Sequence, residues 1–153
     1  MDTSSISVNE LLPHGPEMTV IDRLLSYDDR KSIARAEIRP SAVFFDRTGV
    51  PAWAGIEYMA QTIAAHAGFA ARLRGEPPPL GFMLGTRAYA CEVPEFPEGS
   101  VLTISVVPLV TEGSFAAFDC VIEMERSMAT AVVNTYRPAA HEIARFRPGM
   151  MAS

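Results

Sequence analysis

One stretch, Pro51 to Arg74, constrains this chain more than any other. It reads PAWAGIEYMAQTIAAHAGFAARLR and is followed by Gly75. Proline suits the opening of a helix, where its missing N–H is not needed, and glycine suits the position just past the end. Arg72 and Arg74 fall in the last turn, where a cation faces the negative end of the helix dipole. Between those signals the side chains are apolar or small on nearly every face, and such a helix is buried. Glu57, Gln61 and His66 break the run, whereas a membrane span requires roughly 20 uninterrupted apolar residues. The expectation is one buried core helix from Ala52 to Leu73, wrapped by sheet.

Glu57 is the first chemical clue. At about 3.6 residues per turn, Gln61 lies about 40° away on the same face, which continues through Ala64 and Gly68 and admits a close neighbour. His66 falls about 180° from Glu57, so the two cannot pair within the helix. A carboxylate here is either a dipole-stabilised group reaching water or a group with a chemical role.

The flanking sequence reads mainly as strands. Val8 to Leu12 suits a short helical turn, ended by Pro13-His14-Gly15-Pro16. Met18 to Tyr27 is rich in strand formers, and Asp28, Asp29 and Arg30 make a turn. From Ile33 to Arg39, small and apolar residues alternate with charged ones, and Ala42 to Phe45 reads as a short extended piece. After the helix come Gly81 to Val93, Val101 to Val110, Ser114 to Glu125 and Met128 to Tyr136, with Glu112-Gly113 as a turn signal. Two strands, one long helix and four strands joined by short turns imply an α+β domain, an antiparallel sheet curled around the helix. That domain spans 1–138, and 139–153 is a tail of mixed character.

A net charge of −5 gives no general basic field, so nucleic acid is not an expected partner. Hydrophobic residues at 48% argue against disorder. Cys91 and Cys120 are the only cysteines and show no metal-ligand spacing. With a polar, acidic N-terminus unlike a secretory leader, they read as reduced thiols in a cytoplasmic protein. No phosphate-binding glycine loop, nucleophile triad or metal cluster is visible, so neither cofactor nor metal is expected, and no membrane insertion.

Several motifs fall in the order seen in a known family. Leu12-Pro13-His14 with Ile21-Asp22-Arg23, then Glu57-Tyr58-Met59-Ala60-Gln61 behind Pro51, then Gly85 through Pro97 and Gly99, occur in succession. They resemble segments of the hotdog-fold 3-hydroxyacyl-acyl carrier protein dehydratases. The likeness covers Glu10 to Pro138. Its most specific part, from Pro51 to Gln61, is closest to the dehydratase-like branch associated with aryl polyene biosynthesis. The resemblance implies the hotdog fold and a thioester carried by acyl carrier protein as substrate. It also implies a homodimer, or a heterodimer with another hotdog subunit, joined edge to edge with each tunnel built from two chains. One departure matters. The family carries a catalytic histidine just before the helix, and Phe44-Phe45-Asp46-Arg47-Thr48-Gly49-Val50-Pro51 contains none. The family's carboxylate maps onto Glu57; its histidine maps onto nothing.

Dehydration of a 3-hydroxyacyl thioester needs a base for the proton beside the carbonyl, an acid for the leaving hydroxyl and donors for the thioester oxygen. Glu57 and His14 are the candidate catalytic residues, His14 being fixed between Leu-Pro and Gly-Pro; a structural loop histidine is the alternative. Asp46 is a second substitute, or simply an exposed loop carboxylate. The N–H groups of Ala52 and Trp53 at the helix start are candidate oxyanion donors. Arg87, on a strand beside Gly85, would meet a pantetheine phosphate or stand on a solvated face. Gln61 and Gly85 complete the candidate substrate-binding set. His66 reads as a buried helix histidine with one satisfied hydrogen bond, Tyr58 and Trp53 as packing or interface residues, and His141 lies in the tail. Three functions fit: a dehydratase of fatty acid or aryl polyene-type lipid biosynthesis, a non-catalytic partner of a dehydratase that keeps the histidine, or an acyl thioesterase.

Overall fold

The computed structural model describes residues 1–13 and 15–139, the side chain of Phe82 excepted. In chain order the elements are β1 (Arg23–Asp28), β2 (Lys31–Glu37), β3 (Gly49–Pro51), α1 (Gly55–Leu73), β4 (Phe82–Cys91), β5 (Glu95–Pro97), β6 (Val101–Glu112), β7 (Phe115–Met124) and β8 (Ser127–Tyr136). Six strands form one sheet in the order β1-β2-β6-β7-β8-β4, and every pairing in it is antiparallel. β3 and β5 form a separate small ribbon. One long helix against a curled antiparallel sheet is the α+β arrangement expected from the sequence.

Alternation along the strands builds the core. Leu102, Ile104 and Val106 of β6, Cys120 and Ile122 of β7, and Ala129, Ala131 and Val133 of β8 are buried at every second position, the period of a strand with one covered face. Tyr58, Met59, Ile63, Ala65 and Phe69 of α1 are buried with them. The short helical turn expected near the N-terminus is a 3-10 turn at Val8–Glu10. The close approach expected on the Glu57 face occurs at Gly68, where a Cβ would overlap the Leu11 carbonyl oxygen.

Three boundaries differ from expectation. The α-helix starts at Gly55 because Pro51 remains extended in the β3–β5 ribbon and Ala52–Ala54 makes a 3-10 turn. β1 starts at Arg23, since Pro16–Met18 is itself a 3-10 turn. Ala42 to Phe45 is folded into turns rather than extended, the Phe45 N–H donating to the Ala42 carbonyl at 3.0 Å. Among the described residues no helix is long and apolar enough to cross a membrane.

Candidate functional site

Glu57 stands in the first turn of α1, and Gln61, one turn further, is only 2% exposed. Both ends of that amide are engaged. Its Oε1 accepts from the Val20 N–H at 2.8 Å, and its Nε2 donates to the Met18 carbonyl at 2.8 Å and to the Glu57 carboxylate at 3.0 Å. A buried amide satisfied in this way is a strut between the helix and the segment before β1. Asp22 ties the same segment to β2 by accepting from the Glu37 N–H at 2.8 Å and pairing with Arg35 at 3.2 Å and Arg39 at 3.0 Å. The two motifs that are far apart in sequence, Ile21-Asp22-Arg23 and Glu57 to Gln61, are thus fastened into one support.

Beside Glu57 lies a cavity of about 600 Å³ between α1 and the sheet. Its helical wall is a half-buried stripe of Ala60, Ala64, Ala67 and Ala70, faced by Met83, Phe115 and Phe118. Spacings of three and four residues put those alanines on one face, and four methyl groups leave room where larger side chains would close the space. The sequence pattern implied burial of the helix on all faces; this face borders the cavity instead. Glu57 and His66, although about 180° apart around the axis, flank the stripe from its two sides and both line the cavity.

His66 is buried between the Tyr27 and Phe118 rings, with centroid separations of 5.1 Å and 6.0 Å. Its Nδ1 lies 2.6 Å from the Ser32 Oγ, the one satisfied hydrogen bond expected of it. Burial holds its pKa below the usual histidine value, so the neutral ring is favoured.

The remaining candidates lie elsewhere. The Ala52 N–H donates to the Pro94 carbonyl at 3.0 Å, which corrects its assignment as a free oxyanion donor. Trp53 is 63% exposed, its ring edge-on to Phe44 at 5.6 Å. Gly85 lies at an irregularity in the β4–β8 pairing, and Arg87 is exposed and makes no ion pair with a described residue. Neither they nor Trp53 line the cavity beside Glu57. Asp46 is exposed. Tyr58 is buried, and burial first, with the Asp22 charge second, pushes its phenol up to about 12, so it packs as a neutral group. His14 and His141 lie outside the described residues.

Two features had not been singled out from sequence. Tyr89 of β4 donates its hydroxyl to the Ala52 carbonyl and steadies the start of the helix, with Gly55 leaving space for the phenol. An isolated tyrosine in a strand carries no signal for that. The alanine stripe does carry one, in its spacing.

The ApeP-like family, described as ApeP dehydratase, matches residues 6–146. The chain belongs to the ApeP-like dehydratase family. A chain of the dehydratase heterocomplex ApeI:P from Xenorhabdus doucetiae is 30% identical, with a TM-score of 0.83 over 92% of this chain and 96% of that one. A hypothetical thioesterase with coenzyme A from Streptococcus pneumoniae TIGR4 is 11% identical, with a TM-score of 0.60 over 76% of this chain and 85% of that one. The PaaI protein of E. coli is 12% identical, with a TM-score of 0.58 over 78% and 80%. At such identities the last two show the fold alone, which is the hotdog fold. No curated protein sequence matches the chain. The protein is therefore a hotdog, dehydratase-like member of that family, as its motifs implied.

Proposed function

We propose that this chain is one subunit of a two-chain dehydratase acting on 3-hydroxyacyl thioesters of acyl carrier protein, in which Glu57 works with a proton-transfer group from a second hotdog chain. The observation that carries this reading is that Glu57 borders a largely apolar cavity and its carboxylate has the Gln61 amide as its only hydrogen-bond partner among the described residues. In the reaction the C2–H bond breaks, a C2–C3 double bond forms and the C3–O bond breaks. The departing hydroxyl takes a proton and leaves as water. Two proton carriers are needed. Glu57 delivers the proton to the hydroxyl, the cavity holds the acyl chain, and the base for C2 comes from the partner.

The likeness to a chain of a dehydratase heterocomplex supports a second hotdog subunit. β4 supports it too: it is an outer strand with exposed Met83 and Leu84, and pairing along it would cover an open sheet edge. This reading places the reaction in fatty acid or aryl polyene-type lipid biosynthesis in the cytoplasm, and takes 1–138 as the hotdog domain.

The test is 3-hydroxyacyl carrier protein incubated with this chain, with a histidine-bearing hotdog partner, and with both. Enoyl product and free thiol are followed together. Turnover by the mixture should fall ~10²–10⁴-fold with Glu57→Gln in this chain. Unchanged turnover would leave the chain a non-catalytic partner, and release of free thiol would make it a thioesterase.

A further inference from the structure

The cavity has polar character at the end remote from Glu57. His66 lies nine residues further along α1, ~13 Å along the axis. It lines the cavity while only 8% exposed, and Asp29 and Arg74 line the cavity as well. One ring nitrogen, Nδ1, is held by Ser32, and Nε2 has no hydrogen-bond partner among the described residues.

The pair's surroundings decide which nitrogen carries the proton. Ser32 is fully buried, and its hydroxyl has no acceptor among the described residues other than His66 Nδ1. Were Nδ1 the donor, the Ser32 hydroxyl proton would be buried without an acceptor, which is the costlier arrangement. Ser32 therefore donates to Nδ1, and the neutral ring carries its proton on Nε2. Tyr27 and Phe118 pack against the ring, so it cannot swing away to find another partner. A buried N–H without a partner among the described residues, on a ring that lines the cavity, selects a ligand that brings an acceptor to it.

We infer that His66 Nε2–H is a specificity contact for an oxygen at the distal end of the acyl chain, so that the preferred acyl group ends in a hydroxyl or comparable oxygen rather than a methyl. This rests on the reading of the cavity as an acyl site. His66 takes no part in proton transfer; it positions the chain end, and Ser32 positions His66. A site built around a hydrogen bond rejects the analogue that lacks it, because the buried donor is then left unpaired.

The experiment measures binding of pantetheine thioesters to the full-length chain, alone and with its hotdog partner. Each methyl-terminated acyl chain in a series of lengths is compared with its terminal hydroxy counterpart. Wild type should prefer the hydroxy form by about 10-fold at one length and not at shorter ones. His66→Phe keeps the ring contacts and should abolish that preference while still binding the methyl-terminated chain. Ser32→Ala should reduce the preference without abolishing binding. Equal affinity for both termini at every length in wild type overturns the inference, a water then satisfying His66, and it does so even if His66→Phe fails to fold. Persistence of the preference in a folded His66→Phe overturns it too. Binding of neither series overturns the acyl reading and this inference with it.

Discussion

The side-chain amide of Gln61 reaches the Glu57 carboxylate across one helical turn, at 3.0 Å, while the same amide grips the backbone at Met18 and Val20. The carboxylate is oriented by the residue that also fastens the segment before β1 to the helix. Damage to this amide should therefore appear in stability as well as in activity.

Gln61→Leu keeps much of the volume and removes every one of these bonds. It leaves the buried Val20 N–H without its partner, at a cost of about 1–3 kcal/mol, whereas the Met18 carbonyl belongs to an exposed residue that water can reach. Chemical denaturation should show a loss of at least about 1 kcal/mol. A loss below about 0.5 kcal/mol, the range of ordinary surface changes, would refute the strut.

Gly68→Ala sets two effects against each other. Alanine is the better helix former by about 1 kcal/mol, but its Cβ would overlap the Leu11 carbonyl, and backbone cannot swing aside as a side chain can. Overpacking of this kind costs about 1–3 kcal/mol, so the variant should be destabilised or should release its N-terminal turn, seen as faster amide exchange around Val8 to Leu12. A melting temperature above that of wild type would show that the contact is soft.

Ala67→Phe tests the cavity. The methyl of Ala67 borders space rather than packed core, so a ring there should cost little stability and fill the path of a ligand. Binding of acyl pantetheine should weaken by at least about 10-fold, while unfolding changes by less than about 1 kcal/mol. Unaltered binding in the folded variant would place the acyl chain elsewhere.

The depressed pKa of His66, caused first by burial, has a pH consequence. Its folded value lies below the unfolded one, so the unfolded state binds the proton more readily between the two. The stability this histidine contributes as a neutral ring is present above the unfolded value of about 6.5 and is lost as pH falls toward the folded value. Wild type should lose more stability than His66→Phe on going from pH 7 to pH 5, read by denaturant midpoints. Parallel curves for the two proteins would contradict it.

The helix, the strand order along the chain and the family were legible because periodicity and the Glu57 to Gln61 motif are local properties of sequence. The start of the helix was not: Pro51 suits a first turn equally well, and only its pairing with Glu95, distant in sequence, keeps it extended. The angle between Glu57 and His66 was read correctly, yet it separated residues that the width of the cavity reunites. Helical angles say which side chains can touch each other, not which can touch a common ligand. Ala52 was misjudged for a related reason, since the carbonyl that takes its N–H belongs to Pro94.

Tyr89 lies beside Ala88, whose φ of 54° marks the irregularity between Arg87 and Ala90 in β4. β4 is the outer strand beyond β8, and the Tyr89 hydroxyl holds the carbonyl from which the turn leading into α1 begins. The margin of the molecule and the anchor of its carboxylate are therefore one mechanical part. A chain laid along that margin would stiffen the kink, and through a single hydroxyl the first turn of α1, without coming near Glu57. With the margin bare, every site residue is still present, but the helix that aims Glu57 is moored to a strand supported on one side only.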